Sequence, residues 1–146
     1  MASLRKVHFK LVAGLAAALV LAACSRTFRM EVTGTVGDGV RFTFYETEDD
    51  REPVRLNITE FVVQEQGSDG EWTIVWRLRG GHRLDSIEYG VRHDGLEEIV
   101  PPRPLRADAR YRALAWDLTW PHPMGHSAIA FSFGQDGVVT AESTPG

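Results

Sequence analysis

Cysteine is almost missing from this sequence: Cys24 stands alone among 146 residues. No disulfide can form within the chain, so its fold must rest on a core and on hydrogen bonds. Positive charge is also scarce. Sixteen Lys and Arg face 20 Asp and Glu, a formal charge of −4. Arg5, Lys6 and Lys10 are three of those cations and no acid lies among residues 1–23, which leaves 13 basic against 20 acidic side chains, a net −7. Nucleic-acid binders gather cations to displace counterions from phosphate, so this balance argues against a nucleic-acid partner. Internal repeats and low-complexity tracts are lacking after Cys24, and so is helical periodicity. Catalytic motifs are lacking too. There is no Gly-x-Ser-x-Gly, and Gly34-Thr35-Val36-Gly37-Asp38-Gly39 lacks the Lys-Ser/Thr and the helix that a phosphate loop needs. The expectation is a protein that is not an enzyme and carries no cofactor.

What is present begins with an address. Arg5, Lys6 and Lys10 form a positive segment ahead of the apolar run Leu11–Leu21. That run is about a dozen residues, too short for a bilayer that needs ~20. It is apolar on every face and ends in small residues, which suits an export signal over 1–23 better than a buried helix. Leu21-Ala22-Ala23-Cys24 resembles the lipobox of bacterial lipoproteins. The resemblance implies cleavage before Cys24, a diacylglycerol on its sulfur and acylation of its new amino group. Several acyl chains at ~0.8 kcal/mol per buried methylene hold where one would be marginal. In that family Asp after the cysteine favours retention in the inner membrane. Ser25 stands there here, which implies the outer membrane in a Gram-negative host. The expected division is signal 1–23, lipidated end and tether 24–28, and one folded domain over 29–146.

The rest alternates with period two between turn signals. Val40, Phe42 and Phe44 alternate with Arg41, Thr43 and Tyr45, and Phe61, Val63 and Glu65 run into the turn Gly67-Ser68-Asp69-Gly70. Trp72, Ile74, Trp76 and Leu78 share one face, opposite Glu71, Thr73, Arg77 and Arg79 with Val75 the exception, and Gly80-Gly81 is expected to close that strand. Ile87, Tyr89 and Val91 repeat the pattern. Pro101-Pro102-Arg103-Pro104 reads as a crossing connection, since three of its residues lack a donor. Strands resume at 111–120, at 127–133 and at 138–140. Some seven short strands in a single all-β domain predict a two-sheet β-sandwich.

Leu105-Arg106-Ala107-Asp108-Ala109-Arg110-Tyr111 has the spacing of the tyrosine corner and resembles immunoglobulin-like and fibronectin type III-like sandwiches. The resemblance implies a Tyr111 hydroxyl bonded to backbone a few residues upstream. It also puts the Trp-bearing strand 72–78 in the place of strand C. Ala107, Ala109 and Ala113 depart from the proline, threonine and cysteine found at those places in such domains.

Three groups are candidates for function. His122-Pro123-Met124-Gly125-His126 offers imidazole and thioether, a pairing that suits copper. Pro, Gly and His are also ordinary loop residues. Glu46, Glu48, Asp49, Asp50 and Glu52 are acidic but lack a calcium loop's ligand spacing with its central glycine. Strand 111–120 supplies the third. If Tyr111 and Ala113 face the core, Leu114, Trp116, Leu118 and Trp120 point outward as a broad apolar row. Such patches mark interaction sites. The opposite parity would bury that row and put the alanines outside, and a bulge would switch it midway. The leading expectation is a lipid-anchored, non-enzymatic binding or scaffolding module with an envelope protein partner. The alternative is a copper-binding protein using His122, Met124 and His126.

Overall fold

The computed structural model describes residues 28–119 and 125–142. Cys24, Trp120, His122, Met124 and the export signal lie outside them. Nine strands follow one another and no helix occurs among the described residues: β1 (Arg29–Thr35), β2 (Gly39–Tyr45), β3 (Leu56–Gln66), β4 (Trp72–Leu84), β5 (Ser86–Glu88), β6 (Leu96–Val100), β7 (Tyr111–Asp117), β8 (Gly125–Phe133) and β9 (Val139–Glu142). They form two antiparallel sheets, ordered β1-β2-β5 and β6-β4-β3-β7-β8-β9. This is an immunoglobulin-like β-sandwich, as the alternation required, but with nine strands rather than seven. The two strands beyond the expected ones are β1, which pairs with β2, and β6, which pairs with β4 at an outer edge of the larger sheet.

The core is what period-two alternation buries. Val40, Phe42 and Phe44 are at most 1% exposed and meet Phe61, Val63, Trp76 and Leu78 of the other sheet. Phe42 ties the sheets, its ring centroid 5.1 Å from Phe61 and 5.6 Å from Phe131. Tilted and edge-on contacts of this kind add ~0.5–1.5 kcal/mol to the area they bury.

The tyrosine corner is present. The Arg106 amide donates to the Tyr111 hydroxyl at 2.8 Å, and that hydroxyl donates to Glu65 Oε2 at 2.8 Å. Tyr111 also stacks on Phe131 at 5.4 Å. The corner fixes the phase of β7. Tyr111, Ala113 and Ala115 are 0% exposed, and Asp117 follows them inward.

Three expectations need correction. Trp72 and Ile74 do not share the core face with Trp76. The register against β3 shifts between Val63 and Gln64, so Val75 is the extra residue of a bulge and the side chains before it change sides. Next, the neighbours of β7 are β3 and β8, so β4 is not in the place of strand C but one position further out. The small alanines of β7 therefore lie beside Phe61, Val63 and Ile129 rather than beside a tryptophan strand. Finally, β4 runs through Gly80 and Gly81 to Leu84, whereas β5 is only three residues long. Beyond β5, the Tyr89 amide still donates to the Val40 carbonyl at 2.8 Å and its hydroxyl donates to the Arg103 carbonyl at 2.7 Å, while Val91 is exposed.

The free edge of the larger sheet is β6. Its Glu98 pairs with Leu78, a core residue 1% exposed. A hydrophobe would be expected at such a place. Glu98 instead accepts the indole N–H of fully buried Trp76 at 3.2 Å.

Candidate functional site

Because β7 points Tyr111, Ala113 and Ala115 inward, Arg112, Leu114 and Trp116 must point to the outer face of the six-stranded sheet. The register gives them neighbours. Arg112, Leu114 and Trp116 lie across from Gln64, Val62 and Glu60 of β3 on one side, and from Ala130, Ala128 and His126 of β8 on the other. The alanines of β8 keep that flank low, so the larger side chains of β7 stand proud of it.

The face has three zones. Towards the Tyr111 end, the Arg112 guanidinium lies over the Trp72 ring, 4.4 Å from its centroid, and Arg112 Nε donates to Gln64 Oε1 at 2.5 Å. Arg110 approaches the same ring at 5.8 Å and pairs with Glu142. In the middle, Val62 is only 5% exposed although it points away from the core, with Leu114 and Arg77 as its cross-strand neighbours. Near the Asp117 end, Glu60 takes Arg77 through its Nε at 2.6 Å and Arg79 at 3.6 Å, beside Trp116. Leu114 and Trp116 are partly buried by these surroundings. Leu118, one residue beyond β7, is 60% exposed. The outward row expected from the sequence is thus formed by Leu114, Trp116 and Leu118, while Trp120 falls outside the described residues.

Of the copper candidates, His126 is exposed on β8 opposite Trp116, and His122 and Met124 fall outside the described residues. Among the described residues, no three His, Cys, Asp or Glu side chains gather in a group that could hold a metal ion. His93 is engaged, its Nε2 accepting the Glu88 amide at 3.3 Å. The acidic turn folds onto Arg29, which donates to the Asp50 carbonyl at 2.9 Å and lies 4.1 Å from the Tyr45 ring centroid. Asp50 itself accepts the Thr47 amide at 2.8 Å. Its geometry is that of a hydrogen-bonded turn.

One buried carboxylate escaped the sequence reading. Asp117, 4% exposed, accepts the Asn57 amide at 3.1 Å and the Thr119 amide at 3.1 Å. The even spacing from Tyr111 could have placed it inward, but an acid at that position gave no reason to bury it. Both oxygens are occupied by backbone, which makes it a clamp between the ends of β3 and β7. The Trp72–Arg112 stack was missed as well, because Val75 broke the alternation without being read as the bulge that moves Trp72 to this face. No family model matches the chain, no curated protein matches it, and no solved structure matches it.

Proposed function

We propose that the protein is a lipid-anchored lipoprotein of the bacterial envelope whose sandwich is a non-enzymatic binding or scaffolding module. Acyl chains on Cys24 hold it to a membrane, the outer one in a Gram-negative host, and the outer face of the six-stranded sheet meets a protein partner. One observation carries the binding half: Leu114, Trp116 and Leu118 form an outward apolar row on β7, rimmed by the ion pairs of Glu60 and Arg110. An apolar centre with an aromatic anchor and a charged rim is the usual anatomy of a protein interface. The anchor half is supported by the positive segment, the short apolar run and Leu21–Cys24.

Affinity capture from gently solubilised envelopes tests the interface. A partner retained by the wild-type protein and lost with Trp116→Glu, while the variant keeps its melting transition, supports this reading. Equal retention by both ends it.

A further inference from the structure

The registers place particular residues at one end of the sandwich. Arg29 pairs with Tyr45, the Phe44 amide donates to the Asp85 carbonyl, Leu56 pairs with Leu84, and Asp117 pairs with Gly125. Phe28, the acidic turn after β2 and Leu118 therefore share that end. The turns at Gly67–Gly70 and Gly134–Gly137 occupy the other, next to the corner before Tyr111.

We infer that the Phe28 end of the sandwich rests on the surface of a zwitterionic bilayer, with Leu118 as its contact residue, so that the domain stands upright on its anchor. This rests on the proposed lipidation of Cys24. Four residue steps separate Cys24 from Phe28, a reach of at most ~14 Å. Phe28 is fixed, 3% exposed with its ring edge-on to Phe44 at 5.8 Å. At ~3.3 Å per residue, the longer strands extend further than that reach. The tether thus selects which end can touch lipid.

Leu118 sits where that contact falls. It is 60% exposed, against 40–44% for the other exposed large apolar side chains, Val91, Ile99 and Val138. Exposure along the outward row also rises from Leu114 and Trp116 to Leu118, toward the tether. Charge selects the kind of lipid. The five acids between Glu46 and Glu52, with Asp85 and Asp117, outnumber Arg26 of the tether and Arg29, Arg51, Arg55 and Arg83 at this end. Anionic headgroups repel that excess of acid. In this arrangement the acyl chains supply the hold and Leu118 the orientation, which leaves the Leu114–Trp116 face turned sideways toward a partner.

The test uses the full lipidated protein in phosphatidylcholine vesicles. Cys24 is the chain's single cysteine, so once it is acylated Leu118→Cys offers one thiol for an environment-sensitive fluorophore. Asp69→Cys does the same at the opposite end. The mass of the mature chain is read first: an unmodified Cys24 overturns the anchor and the orientation together. With Cys24 acylated, a lipid-borne quencher should reduce emission about twofold or more at 118 and little at 69. Including phosphatidylglycerol should weaken the effect at 118. Equal quenching at the two positions, or a stronger effect at 118 with phosphatidylglycerol, overturns the orientation alone. Amide exchange on the unlabelled protein provides a second readout. Relative to detergent micelles, vesicles should slow exchange at 118–119 and not at 67–71, and the reverse pattern contradicts the proposal.

Discussion

Tyr111 joins the corner to the neighbouring strand through one hydroxyl, which accepts from the Arg106 amide and donates to Glu65. Tyr111→Phe leaves that amide without its acceptor and takes one donor from Glu65, which keeps the Arg106 guanidinium, and chemical melts should show a loss of about 1–2 kcal/mol. The same phenol predicts an alkaline limit. Burial pushes it up, the Arg106 amide favours its ionised form, and the Glu65 carboxylate raises it again, to about 12 in all. Burial also raises Tyr89. A raised acid binds its proton more tightly when folded, so its contribution is complete below the unfolded value near 10 and is lost as pH climbs toward 12. Urea midpoints should be level up to about pH 10 and then fall, less steeply in Tyr111→Phe. A flat profile through that window would contradict the burial of both rings. Trp76 is the larger single contribution. Trp76→Ala should cost about 3–5 kcal/mol by opening a cavity between the sheets. Glu98→Ala removes only the acceptor of its indole N–H and should cost about 1–2 kcal/mol in the same assay.

The clearest elements in the sequence were those whose alternation runs unbroken. β2 and β7 are read directly from Val40–Phe44 and Tyr111–Ala115, because each alternate side chain faces the core. β4 was readable only from Trp76 onward. A bulge is a property of two paired strands, and the one sign of it in the sequence was Val75, an apolar residue among the polar positions of that strand. β6 was invisible for a related reason: Leu96-Glu97-Glu98-Ile99-Val100 lacks alternation, since an exposed edge strand answers to its pairing with β4 rather than to period two. The outward row was one of two readings until the corner settled the phase. Two substitutions check that phase at the level of the strand. Ala113→Leu should overpack the interior by about 1–3 kcal/mol, while Trp116→Glu should change folding stability by less than that. Collapse of Trp116→Glu in a urea melt would put the row in the core. Gly34 marks another strand-level constraint. Its φ is +115°, and a Cβ there would stand 2.1 Å from the Gly39 carbonyl oxygen. Gly34→Ala should therefore disrupt the β1–β2 turn and lower the thermal midpoint, more than Gly37→Ala, where the space is open.

At the scale of the whole molecule, the anchor and the sheet edges act on the same object. Cys24→Ser should yield an uncleaved, larger precursor, and a mature-sized membrane-bound product would contradict the lipoprotein reading. The outward row was legible in the alternation of one strand, whereas its neighbours from β3, β4 and β8 come together only through strand pairing. The edges decide something further. The Thr35–Val138 bridge joins the two sheets along one side of the sandwich, where β1 lies beside β9. On the other side β6 stays open. An unguarded edge strand would let copies of the domain pair edge to edge. The charged Glu97 and Glu98 on the exposed edge stand against that outcome, and Pro101-Pro102 cannot extend the pairing. The acceptor that completes the buried indole is thus also a charge placed on the open edge, where a strand added to β6 would meet it.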